Sequence, residues 1–146
     1  MAKMKRILRV HSLSFIVCGA VVLSALGCAS SPVKASQARL VTADRILGET
    51  VAKSPNPANV TVVCDKGLGG MAILFKVDGK EVAKIYSGEK IEFKIDPGSH
   101  IFAIKSWEGT HVEVETLLKE NEKAFYRIFI PGYGVTIQKS AEIGDN

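Results

Sequence analysis

From Val60 onward, the sequence is a series of short apolar segments separated by turn residues. The clearest segment is Lys90–Ile95, in which Ile91, Phe93 and Ile95 alternate with charged residues. This period of two places apolar side chains on one face of a β-strand and polar side chains on the other. Turn residues recur about every 8–12 positions, a spacing typical of an antiparallel sandwich or barrel. Because no helix of useful length fits between these segments, we do not expect a parallel α/β sheet.

We therefore predict an all-β fold, a small antiparallel β-sandwich of about seven to eight strands. The domain is expected over residues 60–140, with a C-terminal tail at 141–146. The predicted strands span residues 60–65, 71–77, 81–86, 90–95, 100–107, 112–118, 124–130 and 135–139. The predicted core is made of large apolar side chains from these strands: Val62, Ile73, Phe75, Ile85, Phe93, Ile104, Trp107, Val114, Ile128 and Ile130.

A tether at residues 28–59 is predicted before the sandwich. Its first part, Ala29–Gln37, is mostly small and polar, which is typical of a flexible spacer. Apolar residues then recur at helical spacing, which predicts a short helix: Leu40, Ala43, Leu47 and Val51. The prolines of Ser54–Pro57 would end that helix and begin the folded domain.

Residues 1–27 have the features of a bacterial export signal. A basic head, which contains Lys5 and Arg6, precedes an apolar run over Leu13–Cys28 that ends in small residues. A membrane-spanning helix needs about 20 apolar residues. The run is shorter and is interrupted by Ser14 and Ser24. We therefore predict a signal that is removed rather than a permanent membrane span.

The end of this run, Ala25-Leu26-Gly27-Cys28, resembles the signal of bacterial lipoproteins. The resemblance implies that Cys28 receives lipid, becomes the new N-terminus and holds the protein on a membrane. Because Ala29 rather than aspartate follows Cys28, the resemblance to Gram-negative lipoproteins implies the outer membrane, facing the periplasm. The alternative is ordinary signal cleavage near Ala29 or Ser30, which discards Cys28. Cys18 is a rival lipid acceptor, but it lies in the middle of the run.

Removal of the signal changes what the composition means. Four of the 19 basic residues lie in the signal, which leaves 19 − 4 = 15 against 15 acidic residues, all of which follow it. The retained chain is formally neutral, so the basic sequence gives no reason to expect a nucleic-acid partner. Cys64 would be the remaining thiol, and it shares a strand face with Val60 and Val62. We predict that it is a buried apolar residue.

No arrangement of catalytic residues is recognisable in the sequence, so we predict a protein that is not an enzyme and has no cofactor or metal. The glycines of Gly67–Gly70 lack the Lys-Ser/Thr of a phosphate loop, and a flexible hairpin loop is expected there. His111, Glu113 and Glu115 would share one strand face and could bind a metal only if a fourth group converged on them. His100 has no nucleophile placed by motif. We expect it beside a turn with one hydrogen-bonded nitrogen.

Three segments resemble the core of small β-sandwich domains of the PEGA and carboxypeptidase-regulatory type: Val77–Ala83, Ser87-Gly88 and Phe93–His100. The likeness is strongest to uncharacterised bacterial lipoproteins that carry such a domain. It implies fold and location and supplies no catalytic residue. We expect a lipid-anchored envelope lipoprotein whose module is structural or binds an envelope protein or glycan, for example through an unpaired sheet edge. The alternative is a periplasm-facing lipoprotein that binds a small ligand or a metal.

Overall fold

The computed structural model describes residues 30–50 and 52–141, and within these ranges it contains nine β-strands, one 3₁₀ turn and no α-helix. The strands are β1 Arg39–Leu40, β2 Ala58–Cys64, β3 Ile73–Val77, β4 Lys80–Ile85, β5 Glu89–Ile95, β6 Gly98–Lys105, β7 His111–Leu118, β8 Lys123–Phe129 and β9 Thr136–Ser140. The 3₁₀ turn is Ala43–Arg45. The predicted all-β fold is confirmed, and strands β2 to β9 correspond to the eight predicted segments.

The strands form two sheets that enclose one hydrophobic core. One sheet has the order β1-β5-β2-β8-β9, and the other has the order β4-β3-β6-β7. Alternate residues of both sheets point inward, as the burial of Val60, Val62 and Cys64 on β2 illustrates. This two-layer arrangement is a β-sandwich.

One feature of the predicted topology is wrong, because the sandwich is not wholly antiparallel. Strand β2 runs parallel to β8, with Val60 opposite Ala124 and Cys64 opposite Ile128. Strand β1 also runs parallel to its neighbour β5. The chain crosses to the second sheet after β2, returns for β5, crosses again for β6 and β7, and returns once more for β8. Strand β8 therefore enters from the same end as β2. Residue alternation is the same in either direction, and the sequence pattern therefore contained no signal of this pairing.

Four aromatic rings lie at the centre of the core. The ring centre of Phe102 lies 4.8 Å from that of Tyr126, 5.6 Å from Phe75 and 6.1 Å from Phe93. These separations fall in the range where tilted aromatic pairs attract one another beyond their area burial. They connect strands of both sheets.

Most of the predicted core residues are where the sequence placed them. Six are fully buried: Val62, Ile73, Phe75, Ile85, Ile104 and Ile128. Three are half-buried and pack against the core: Phe93, Val114 and Ile130. The prediction for Trp107 is wrong, because its side chain is 71% exposed. Strand β6 ends at Lys105, so Trp107 falls in the turn that follows rather than on the strand.

The segment that precedes β2 is packed against the sandwich along much of its length. Val33, Ala35 and Ala38 form a second buried cluster with Val63 and Phe125, on the outer face of the five-stranded sheet. The prediction of a flexible spacer is therefore wrong for residues 33–37. The pattern was misleading because small residues are as suitable for close packing against a sheet as they are for a flexible linker.

The predicted short helix is also wrong. Its first residues form β1, and Leu40 and Leu47 are 60% and 43% exposed rather than aligned on a buried face. Val51 lies outside the described residues. The segment instead bonds to the edges of both sheets: Val41 N donates to Lys90 O on β5, and Leu47 N donates to Val82 O on β4. These backbone partners exist only in the folded sandwich, so a local helical spacing could not reveal them.

Gly48 is needed where this segment crosses β4. A Cβ atom at this position would lie 2.7 Å from the Glu81 carbonyl oxygen, closer than real contacts allow. The absence of a side chain therefore permits the chain to lie against the strand. The segment covers part of the β4 edge and closes the side of the sandwich between β4 and β5.

A hydrogen bond between the hydroxyl groups of Tyr126 and Thr116 joins the two sheets inside the core. Replacing Tyr126 with phenylalanine is expected to lower the free energy of unfolding by about 1–2 kcal/mol, because the buried Thr116 hydroxyl loses its partner. Urea unfolding of both proteins measures the difference. The control is Tyr126→Phe combined with Thr116→Val, which should recover most of the loss. A double variant no more stable than the single one would contradict this explanation.

Candidate functional site

The connecting segments gather at two opposite ends of the sandwich, which carry the candidate sites. We call one end the Trp107 end; it contains residues 30–32, 65–72, 86–88, 106–110 and 130–135. We call the other the His100 end; it contains residues 52–57, 78–79, 96–97 and 119–122. The strand register assigns each segment to its end. Strand β2 ends at Cys64, opposite Ile128 near the end of β8, at the Trp107 end. It begins at Ala58, opposite Ile95 at the end of β5, at the His100 end.

His100 is held between two turns by both nitrogens of its ring. Its Nδ1 lies 2.8 Å from Asp78 Oδ2, and its Nε2 lies 2.8 Å from the carbonyl oxygen of Asp96. Both partners are acceptors, so which ring nitrogen donates depends on the tautomer. The expected position beside a turn is confirmed, and an acceptor faces each ring nitrogen rather than only one. A general base must reach a proton of the substrate, whereas both ring nitrogens of His100 face partners within the protein.

The two aspartates beside His100 have lowered pKa values. Burial acts to raise the pKa of Asp78, but hydrogen bonds from His100 and the Ile101 amide outweigh it. The amides of Ser54 and Lys53, each 2.7 Å from Asp96 Oδ1, hold the pKa of Asp96 below its usual range. Both carboxylates therefore stay charged at neutral pH. Asp78 connects its turn to β6, and Asp96 connects its turn to residues 53–54. The sequence placed these residues in turns but gave no sign that His100 would join them.

A half-open cleft of about 430 Å³ lies beside His100. It separates residues 48–50 from the turn at Asp78, and Glu49, Lys80 and Glu81 line it. Its volume is in the range of small-ligand sites, of about 300–1,000 Å³. Its lining is strongly charged, whereas most ligand pockets are mainly apolar. Because of its volume, the cleft is the candidate site for the alternative function, binding of a small ligand.

The three residues considered for a metal lie in a row on the outer face of β7. His111 Nε2 is 3.3 Å from Glu113 Oε1, and Glu115 accepts a hydrogen bond from Ser99 Oγ at 2.8 Å. No group of three or more metal-ligating side chains converges anywhere in the described part of the chain. His111 lies at the Trp107 end and His100 at the other, so the fold does not bring the two histidines together.

The glycine-rich segment Gly67–Gly70 is not the predicted hairpin loop, because it joins β2 of one sheet to β3 of the other. Leu68 in its centre is fully buried and fixes the segment to the core. The prediction for Cys64 is confirmed, since its side chain is fully buried. Burial raises the pKa of the Cys64 thiol to about 12, which leaves it unreactive at neutral pH.

Arg45 and Glu89 form a largely buried ion pair that fixes the N-terminal segment to the start of β5. Arg45 Nη1 and Nη2 lie 2.5 and 2.8 Å from the two carboxylate oxygens of Glu89, which also accepts the Tyr86 amide at 3.0 Å. The Arg45 hydrogen bonds lower the pKa of Glu89 against the opposing effect of burial. The ion pair therefore stabilises the folded chain while the Glu89 carboxylate is charged.

Acidification is expected to remove this contribution. The folded-state pKa of Glu89 is below its unfolded value of about 4.3, so the stabilisation is complete above that pH and is lost as pH falls through the lower value. Glu89→Gln should lower the free energy of unfolding at neutral pH by about 1.5–3 kcal/mol. It should also make stability fall less steeply in acid, as measured by urea unfolding across pH. Glu92→Gln, at an exposed ion pair, is the control and should change little. Equal acid slopes for Glu89→Gln and the unmodified protein would contradict the expectation.

A second buried ion pair lies near the Trp107 end and was not foreseen from the sequence. The Asp65 side chain is 1% exposed. Its Oδ2 accepts a hydrogen bond from Arg127 Nη2. Its Oδ1 accepts hydrogen bonds from Arg127 Nε at 3.3 Å and from the Val33 amide at 3.2 Å. The pair connects β8 and the N-terminal segment to the residue that follows β2. The position of Asp65 directly after a buried strand could have indicated a buried charge. The sequence could not identify its partner, which lies 62 positions away.

The predicted lipidation site, Cys28, and its rival Cys18 lie outside the described residues. The nearest described residue, Ser30, is fixed at the Trp107 end, where its Oγ accepts a hydrogen bond from Ile130 N at 2.9 Å. The next residue, Ser31, pairs with Lys66 through backbone hydrogen bonds in both directions. No helix within residues 30–50 or 52–141 is long and apolar enough to cross a bilayer.

The buried polar side chains of the described residues are used for internal contacts. In the described part of the chain, no buried side-chain nitrogen or oxygen lacks a hydrogen-bond partner. The proposed likeness to PEGA and carboxypeptidase-regulatory domains stays a prediction. No protein-family model matches the chain, and no curated protein is similar enough to match it.

Proposed function

We propose that the chain is a lipid-anchored lipoprotein of the bacterial envelope, held on the outer membrane through Cys28 and facing the periplasm. Its β-sandwich is a non-catalytic module that binds another envelope protein or a glycan, or has a structural role. Cys28 is the lipidated residue, and the membrane is the partner that the lipid engages. No nucleic acid is involved.

The structural observation that supports this proposal is that the chain already contacts the sandwich at Ser30, two residues after Cys28 in the sequence. Ser30 and Ser31 already bond to Ile130 and Lys66. Cleavage before Cys28 therefore removes nothing that these contacts use. The lipoprotein-like motif marks Cys28 for lipid, so the retained chain would keep Ser30 and all its described contacts.

Mass spectrometry of the N-terminal peptide from membrane-extracted protein tests this proposal. We expect a chain that begins at Cys28 and carries acyl groups. An unmodified N-terminus at or beyond Ala29 would overturn the proposal and would favour ordinary secretion.

The β7 edge is the surface to test for a protein or glycan partner. Strand β7 is hydrogen-bonded to β6 on one side, and its other side is not paired with a strand in the described residues. Such an edge can accept an added strand. A photo-crosslinking residue at Glu113 should capture a partner in intact envelopes, whereas one at Glu92 of β5 should not. Equal capture at both positions, or capture only at Glu92, would exclude the edge as the binding surface.

The alternative function is binding of a small ligand or a metal, and the cleft beside His100 is the observation in its favour. Zinc, copper and nickel are expected to leave the melting temperature of the purified protein unchanged. A rise that disappears in His111→Ala would favour a metal site on β7, and one that disappears in His100→Ala would favour the cleft.

A further inference from the structure

Among the residues that the structure describes, the two exposed aromatic side chains lie at the Trp107 end. Trp107 is 71% exposed and Tyr133 is 100% exposed. Tyr133 lies between Gly132 and Gly134, which have φ values of 141° and 75°, in a loop whose residues 131–134 are all exposed. Burying such rings normally stabilises a fold, so their exposure at one end indicates a surface that meets something outside the domain.

The two ends also differ in charge. In the connecting segments of the Trp107 end, Lys66 and Glu108 are the exposed charged residues, and Asp65 is buried in its pair with Arg127. The connecting segments of the His100 end carry many more charged residues: Lys53, Asp78, Asp96, Lys119, Glu120 and Glu122. One end therefore combines aromatic rings with few charges, and the other is strongly hydrated.

The predicted lipid leaves the domain at the aromatic end. Ser30 is fixed there by its bonds with Ile130, and Cys28 is two residues earlier in the chain. Two residues span at most about 7 Å, so the acylated residue cannot lie far from this end. Strands of seven or eight residues, at about 3.3 Å per residue, place the opposite end roughly 25 Å away.

We propose that the Trp107 end rests directly on the lipid bilayer, with Trp107 and Tyr133 in its headgroup region. This inference rests on the proposed lipidation of Cys28. The anchor holds the end against the surface, and two amphipathic rings are suited to the interface because their apolar bodies and polar tips match it. The contact depends on aromatic insertion rather than on charge, since the two exposed charges in the connecting segments of this end, Lys66 and Glu108, are opposite in sign. The His100 cleft would then face away from the membrane.

The chain contains one tryptophan, which makes it a direct probe. Acylated protein is purified from membranes and reconstituted in vesicles of phosphatidylethanolamine and phosphatidylglycerol that carry a nitroxide-labelled headgroup lipid. Trp107 emission should shift to shorter wavelength, and the nitroxide should quench it at least about threefold more strongly than a tryptophan at the opposite end. The quenching should persist at high salt.

The matched control moves the tryptophan without changing the anchor. Trp107→Phe with Glu120→Trp places the ring in an exposed turn of the His100 end, where weak quenching is expected. Trp107→Phe with Tyr133→Trp should restore strong quenching. An acylated, vesicle-bound protein whose Trp107 is quenched no more than the Glu120→Trp control would overturn this inference and leave the proposed anchor intact. A chain without acyl groups would overturn both.

Discussion

Replacing Cys28 with serine is expected to abolish acylation and release the protein from the membrane. Serine lacks the thiol to which lipid would be attached. Each buried methylene contributes about 0.8 kcal/mol, so several acyl chains make an effectively permanent anchor and their loss leaves none. For this variant, residues 1–27 are replaced by an export signal that is cleaved without lipidation. An uncleaved signal therefore cannot hold the chain on the membrane. Incorporation of an alkyne-labelled fatty acid and cell fractionation are the two measurements.

Two comparisons make the Cys28→Ser result specific. Cys18→Ser behind the chain's own signal should keep both the label and the membrane association, because Cys18 lies in the part that is removed. Cys64→Ala should also keep them, since Cys64 is buried in the core. A Cys28→Ser protein that still partitions wholly with membranes would contradict lipid anchoring and the location that depends on it.

Arg127→Met is expected to lower the free energy of unfolding by about 3–5 kcal/mol, the range seen when one partner of a buried ion pair is removed. The Asp65 side chain is 1% exposed, so without Arg127 its charge would stay in the protein interior, where the Val33 amide still donates a hydrogen bond to it. Methionine keeps an unbranched apolar side chain, which separates loss of charge from loss of packing. Urea unfolding of the chain with Cys28→Ser, which avoids detergent, measures the change.

The control for this prediction removes both charges. Asp65→Asn with Arg127→Met should be more stable than Arg127→Met alone, because no uncompensated charge remains inside the protein. The asparagine oxygen can still accept the Val33 amide. If Arg127→Met were within about 1 kcal/mol of the unmodified chain, as exposed pairs are, the pair would have to be treated as a surface contact.

The strands could be predicted because their signal is local. Ile91, Phe93 and Ile95 alternate with charged residues whatever their partners are. Short apolar segments between turn residues likewise predicted the other strands from β2 to β9. The burial of Cys64 followed from the same alternation. Turn residues marked the ends of strands to within two positions, and the two-position difference at the end of β6 placed Trp107 in a turn, where its ring is exposed.

The candidate sites were less predictable because each depends on residues that are distant in sequence. His100 meets Asp78 across 22 positions, and Asp65 meets Arg127 across 62. The sequence placed these residues in or beside turns and strand ends, but it could not indicate which turns would share an end of the sandwich. The proposed lipid-attachment motif at Cys28 rests on neighbouring residues alone, so it could be predicted without the tertiary structure.

What the sequence determined by itself was the all-strand architecture, the positions of the strands and the predicted anchor, because each follows from neighbouring residues. Only the tertiary structure decided that β2 runs parallel to β8, that residues 33–48 pack on the sandwich instead of forming a spacer and helix, and that Trp107 and Tyr133 share an end with Ser30. Strand direction and edge pairing depend on backbone hydrogen bonds between distant segments, and those bonds exist only once the two sheets have come together.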